Sequence, residues 1–266
     1  MENTWQPKKS LGQNFLICPW VVTAVIEAAE LLLSDTIIEI GPGTGVLTKA
    51  LALRTKQVIA IEKDEALAEE LRQNLKKERI DNVIILDGDA LKNFPVPDKP
   101  YKVVANIPYY LTARLLRMVL EEQKHKPSLI VFTVQKEVAE RIIALPPHES
   151  ILSLSVQAYS TPTIVKNVPA SCFSPKPKVD SAIIKIADIS DLFFVRNHID
   201  SNNFFRIVRS AFSQKRKVLA NTLANVIGDK KSTIAVLNSA GLNPRARPEQ
   251  LTLQQWAKLV TLITKK

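Results

Sequence analysis

The chain has only two cysteines and three histidines in 266 residues. Cys18 and Cys172 are far apart and show no metal-type spacing, so they read as free thiols, buried or half-buried. His125, His148 and His198 sit in polar stretches with no Cys or carboxylate at ligand spacing. They read as surface residues, and no metal site is expected. No apolar run approaches membrane-spanning length, because Asp, Glu, Lys or Arg interrupts every candidate. Met1 to Lys9 lacks an apolar core followed by a small-residue cleavage site. The expectation is a cytoplasmic chain without a secretory signal or a membrane partner. No low-complexity tract occurs either. What is left is a packed globular protein, long enough for one large domain and a small one.

The charge is present in excess and unevenly placed. Residues 190–266 carry thirteen Lys/Arg against four Asp/Glu, whereas residues 1–189 carry 23 against 22. A basic C-terminal quarter on a nearly neutral body points to a polyanionic partner. Nucleic acid fits better than a membrane surface, since no strongly apolar face accompanies the charge.

From Thr36 to Val134 short apolar runs alternate with helical patterns. Thr36–Ile40, Gln57–Ile61, Val83–Leu86, Lys102–Ala105 and Leu129–Val134 read as strands. Thr44–Leu53, Asp64–Glu78, Thr112–Glu122 and Lys136–Ala144 read as helices between them, with Val21–Leu32 as an amphipathic helix ahead of them. This is the rhythm of a parallel sheet covered on both faces. Ile151–Tyr159 and Val179–Ile186 read as two late strands, an antiparallel hairpin closing the sheet edge. Asn202–Phe212, Gln214–Val226, Lys231–Ala240 and Thr252–Thr264 read as helices. The expected domains are therefore residues 1–189 and a small all-helical domain over 190–266.

Three strand ends carry chemistry. Glu39-Ile-Gly41-Pro-Gly43-Thr-Gly45 follows the first strand, at the crevice where doubly wound sheets bind ligands. The third glycine comes one residue earlier than in the nicotinamide fingerprint, with Val46 at the expected place, which argues against a pyrophosphate. Glu62 ends the second strand, where a carboxylate can accept both hydroxyls of an adenosine ribose. Asp89 follows the third and can accept an adenine amine proton. Either acid alone reads as an ordinary solvated strand end; the three together favour a bound adenosine.

Asn106-Ile-Pro108-Tyr109 closes the fourth strand. The side-chain oxygen of Asn106 and a backbone carbonyl near Pro108 can each take one N–H of an exocyclic amine, turning its lone pair out of the ring plane. Tyr109 offers a stacking face. The tetrapeptide alone fits equally well a strand end, a proline turn and a buried tyrosine. With the glycine spacing, it favours S-adenosylmethionine over NAD as cofactor. Phe173, among Pro169, Pro175 and Pro177, stands in a loop that reads as too broken to bury much, and so as a second base-stacking ring. Trp5, Trp20 and Trp256 read as packing residues.

In this order the motifs resemble the small-subunit ribosomal RNA adenine dimethylase family. Lys8-Lys-Ser-Leu-Gly-Gln-Asn14-Phe-Leu16 is similar to the segment that folds over the cofactor in that family, where Asn14 and Leu16 touch it. Glu39 to Gly45, Glu62-Lys-Asp64, Asp89 and Asn106 to Tyr109 resemble its cofactor and catalytic motifs. Phe173 to Ser181 is similar to its late loop, and Ala211 to Lys217 to the basic helix start of its C-terminal domain. The resemblance implies a Rossmann-like class I methyltransferase sheet with a small helical C-terminal domain. It implies N6,N6-dimethylation of two adjacent adenosines in the 3′-terminal hairpin loop of small-subunit RNA, on an immature 30S-type particle, by a monomer. By residue it implies catalytic roles for Asn106, Pro108, Tyr109 and Phe173, and cofactor binding by Asn14, Leu16, Gly41, Gly43, Glu62, Asp89 and Asn106. Two departures stand out. Arg114 replaces a frequent proline, and Glu149 to Leu152 lacks the family's tyrosine-glycine pair.

Overall fold

The structure, a computed structural model, describes residues 12–214 and 216–264. Trp5, the Lys8 to Leu11 part of the N-terminal motif and Lys215 lie outside them. Strands β2 (Thr36–Ile40), β3 (Gln57–Glu62), β4 (Val83–Asp87), β5 (Tyr101–Asn106) and β6 (Leu129–Gln135) pair in parallel. With β7 (Thr161–Val168) and β9 (Ser181–Ala187) they form a seven-stranded sheet in the order β4-β3-β2-β5-β6-β9-β7, with β9 antiparallel to β6. Every residue from Leu129 to Val134 is buried. A strand buried on both faces, apolar but for Thr133, is what a sheet covered on both faces demands.

The helices follow from local signals. Asp64 caps α3 (Glu65–Lys77) by accepting the Ala66 N–H at 3.2 Å, and Lys76 and Lys77 sit at its carbonyl end. Leu67, Ala68, Leu71 and Leu75 make its buried stripe. Helices α1 (Pro19–Ala28) and α2 (Val46–Ala52) close an apolar cluster with Ile37, Val104, Val131 and Ile183. Helix α4 (Thr112–Arg117) runs on into a π-helical turn, Met118–Glu122, and Arg114 takes an exposed helical position.

Topology places the site. The chain adds β3 and β4 on one side of β2, then crosses over to lay β5 and β6 on the other. The carboxyl ends of β2 and β5 therefore flank the switch point, where such sheets open a crevice. The glycine turn follows β2, and Asn106 is the last residue of β5.

Three expectations are corrected. Ile151–Tyr159 is no strand: Ile151–Gln157 forms helix α6, started by a reciprocal capping box between Ser150 and Ser153. The sheet edge is made instead by β7, ten residues later. Cys18 and Cys172 are not free thiols but a disulfide, with Cα atoms 5.0 Å apart. It sits beside a two-stranded antiparallel clip, β1 (Phe15–Leu16) with β8 (Phe173–Ser174). The helix expected over Gln214–Val226 begins only after Val218, which is extended, and is split into α9 (Leu219–Thr222) and α10 (Ala224–Ile227).

The chain divides into two compact units. One takes residues up to Ala139 with Pro162–Ile189; the other takes Glu140–Thr161 with Ser190 onward. The expected cut at 189 is thus only the last of three crossings. Helix α5 (Lys136–Ile142) carries the first crossing, and within the second unit Gln157 of α6 holds the loop after it by bonds to the Ile142 and Ala144 carbonyls, 2.8 and 2.9 Å. Tyr159 stacks on Phe205 of α8 (Ser201–Ala211) and meets Phe194 of α7 (Leu192–Asn197) at a tilt. Helices α11 (Lys230–Ser239) and α12 (Leu253–Thr264) complete it, with Trp256 fully buried. No helix among the described residues is long and apolar enough to cross a membrane.

Candidate active site

One pocket in the first unit gathers Asn14, Leu16, Gly41, Gly43, Glu62, Asp89, Asn106, Pro108, Tyr109 and Phe173. The glycine turn is tied to its neighbours at both ends. The Gly41 N–H bonds the Ile61 carbonyl at 2.9 Å, and the Gly43 N–H bonds the Glu62 carboxylate at 3.0 Å. Gly43 has φ +55°, and a Cβ there would stand 2.8 Å from the Phe15 ring. Only glycine lets the turn and the N-terminal segment approach so closely.

Glu62 is buried and its second oxygen accepts the Asp64 N–H at 2.9 Å. Burial pushes its carboxyl up, and these N–H bonds pull it partly back. Asp89 accepts the Leu91 N–H at 3.0 Å and pairs with Lys63 at 3.0 Å. Burial pushes that carboxyl up, but the Leu91 N–H and the Lys63 ammonium outweigh it, and the net direction is down. Asp89 is thus a charged acceptor at the pocket edge.

Glu39 stands at the head of the glycine motif read from the sequence, which assigns it no role of its own. It is 1% exposed, lines the pocket, and its Oε2 has no hydrogen-bond partner among the described residues. Burial pushes its carboxyl up to about 8; the Thr48 hydroxyl works against this and the Glu62 charge with it. A buried acceptor left unpaired is costly unless a ligand supplies the donor. Its place at the head of the glycine motif was the available signal.

At the end of β5 the orientation of the Asn106 amide is fixed. Its Nδ2 donates to the Asn14 carbonyl at 3.0 Å, which leaves Oδ1 as the end available to an amine. The Pro108 carbonyl already accepts the Leu111 N–H at 2.9 Å, so one lone pair remains on that oxygen. Tyr109 is half-buried and its hydroxyl lies 2.9 Å from Ser181 Oγ. Burial, the largest influence, raises its phenol, which Ser181 partly offsets, so the ring is neutral at ordinary pH.

Phe173 departs from expectation. It is 3% exposed, part of the apolar cluster and paired with Leu16 across the clip. The prolines around it do not keep it out of the core, because the β1–β8 ladder and Cys172 anchor it there. It remains a pocket wall. Trp20 departs too: it is 38% exposed, with the Lys166 ammonium 4.9 Å from its ring centre. The second unit shows the basic surface within itself. Helix α8 buries Phe204, Phe205, Ile207, Val208 and Ala211, and turns Arg206 and Arg209 outward; Arg216 and Lys217 are also exposed.

Comparison with known proteins points to one family. The ribosomal RNA adenine dimethylase family matches residues 5–265. Ribosomal RNA small subunit methyltransferase A of Dehalococcoides mccartyi is 41% identical over 98% of this chain and 90% of its own. The protein of that name from Clostridium botulinum is 41% identical over 94% and 92%. A dimethyladenosine transferase from Plasmodium falciparum superposes with a TM-score of 0.82 at 28% identity, covering 94% of this chain and 98% of that one. The 23S rRNA methyltransferase ErmE gives 0.73 at 26% identity, covering 94% and 100%. So long a match to such similar relatives settles the family: the chain belongs to the ribosomal RNA adenine dimethylases, S-adenosylmethionine-dependent methyltransferases.

Proposed function

We propose that this enzyme dimethylates N6 of two adjacent adenosines in the 3′-terminal hairpin loop of small-subunit ribosomal RNA, acting as a monomer on an immature 30S-type particle. The observation that carries the reading is the Asn106 amide. Its donor end is fastened to the Asn14 carbonyl and its acceptor end faces the pocket beside Tyr109.

The pocket residues fit S-adenosylmethionine. Glu62 suits the ribose hydroxyls, and Asp89 the adenine amine. The unpaired Glu39 oxygen suits the ammonium of the amino-acid tail, and Gly41 and Gly43 clear the space between. Asn14 and Leu16 cover it from the N-terminal side. Bound there, the cofactor supplies an electrophilic methyl group on sulfur.

The protein's share of the chemistry is positioning. Asn106 Oδ1 and the remaining Pro108 lone pair each accept one N–H of the target amine. Two such bonds draw the nitrogen toward a tetrahedral shape and free its lone pair. They strengthen as the nitrogen gains positive charge, so they favour the transition state over the ground state. Tyr109 stacks on the flipped base and contributes about 1–3 kcal/mol to holding it, while Phe173, buried in the apolar cluster, forms the opposite wall. Arg206, Arg209, Arg216 and Lys217 bind phosphates, which fix position without reading sequence.

Mass spectrometry of small- and large-subunit RNA, from cells with and without the protein, tests the reading. Dimethyladenosine should vanish from the small-subunit hairpin in its absence. Loss from the large subunit instead would overturn the assignment.

A further inference from the structure

Thr133 interrupts the all-apolar run Leu129–Val134, and the function described so far makes no use of it. It lies on β6 directly across from Asn106 on β5, in parallel register. Both residues line the pocket. Thr133 is 1% exposed, and its hydroxyl has no hydrogen-bond partner among the described residues. Valine has the same shape and would fill a purely structural position without stranding a hydroxyl in the interior. The backbone around it is fixed, since its carbonyl accepts the Ile107 N–H at 3.1 Å. Its β-branch restricts the side chain further.

Strand order says which ligand the hydroxyl meets. Glu62 is on β3, Glu39 on β2, Asn106 on β5, Thr133 on β6, and Ser181, which tethers Tyr109, on β9. These strands are neighbours in that sequence across the sheet. The acids suited to the cofactor therefore lie on one side of Asn106. Thr133 lies on the other, between Asn106 and the Tyr109–Ser181 pair, where the target base must sit. An adenine whose amine bonds Asn106 carries an acceptor nitrogen on each side of that amine, N1 and N7. We propose that the Thr133 hydroxyl donates a hydrogen bond to one of these ring nitrogens and so sets the rotation of the target adenine against Asn106. The inference rests on the reading that the base presents its amine to Asn106.

The test is single-turnover methyl transfer to unmethylated small-subunit particles. Thr133→Val should slow transfer by about tenfold, the factor expected for one neutral hydrogen bond. Thr133→Ser should restore most of the rate. Cofactor affinity by calorimetry should not change, and the melting temperature of the valine variant should hold or rise. Particles reconstituted with 1-deazaadenosine or 7-deazaadenosine at the target supply a second arm. One of the two should slow the wild-type enzyme to a similar degree and slow Thr133→Val no further, the non-additivity of partners in one bond. A wild-type rate for Thr133→Val, or full wild-type activity on both deaza substrates, would overturn the proposal. Asn106→Ala separates the two levels. If it is slow while Thr133→Val is normal, only the Thr133 assignment fails; if it too is normal, the reading of the base site fails.

Discussion

Replacing Asn106 with alanine is the sharpest test of how this site works. Among the described residues the amide bonds from Nδ2 to the Asn14 carbonyl at 3.0 Å, and it offers Oδ1 to the substrate. Deletion removes both ends. On the substrate side it removes an acceptor for an N–H whose nitrogen becomes cationic during transfer. Hydrogen bonds to charged groups contribute about 1.5–3 kcal/mol, so the chemical step should slow by roughly 10- to 150-fold. On the other side the Asn14 carbonyl loses its donor, and cofactor binding should weaken by a few-fold as the N-terminal segment loosens. RNA affinity should not change, because the basic groups proposed to bind phosphates belong to the other unit. Single-turnover transfer of labelled methyl, paired with filter binding and calorimetry, separates the three effects. Near wild-type transfer by a folded Asn106→Ala protein would refute the acceptor role outright.

Glu62→Ala should weaken S-adenosylmethionine by about 2 kcal/mol or more, and also destabilise the fold by about 1–3 kcal/mol, because the Gly43 and Asp64 N–H groups lose their acceptor. Calorimetry and urea unfolding should both register it; unchanged cofactor affinity would remove Glu62 from the ribose site. Glu39 makes stability depend on pH. Its folded value of about 8 exceeds its ordinary 4.5, so the unfolded chain releases the proton first, and stability from this group falls as pH rises from 4.5 to 8. Glu39→Gln should flatten that fall in urea titrations at pH 5 and 8, and an unaltered fall would place its origin elsewhere. The disulfide closes a loop of 154 residues, so its reduction should lower stability by up to about 5 kcal/mol on chain-entropy grounds. Equal urea midpoints for the oxidised protein and Cys18→Ser would contradict this.

The sheet was legible because each strand carried its own signature. Thr36–Ile40 has the expected bounds, and the other parallel strands differ by a residue or two at their ends. Ile-Leu-Ser-Leu-Ser-Val misled because its alternation mimics a strand. Yet Ser153 and Ser155 are buried along with Leu152, Leu154 and Val156, so the alternation in polarity is not one of exposure. What decides the local fold is the Ser150–Ser153 capping box, with Glu149 accepting the Ser153 hydroxyl at 2.7 Å. The short helix Leu192–Asn197 also went unread. The Cys18–Cys172 pair had no local signal, since nothing in spacing links positions so distant. The pocket residues were legible as strand ends. Thr133 was not, and Glu39 was legible only as part of the glycine motif, because only tertiary burial shows that their polar atoms are left without a partner among the described residues.

The discontinuity of the second unit has a consequence for biosynthesis. Helix α6 leaves the ribosome before β7 and β9, which complete the sheet, and well before α8, against which it packs. Its apolar residues Leu152, Leu154 and Val156 therefore wait, unpartnered, while some forty more residues are synthesised. The first unit is also delayed, since β6 pairs only with β5 until Ser181–Ala187 has emerged. Gene fragments face the same constraint. A fragment ending at 189 carries α6 without α8, and one starting at 190 carries α8 without α6. Exchange of the helical unit between relatives therefore has to move residues 140–161 together with those from 190 onward.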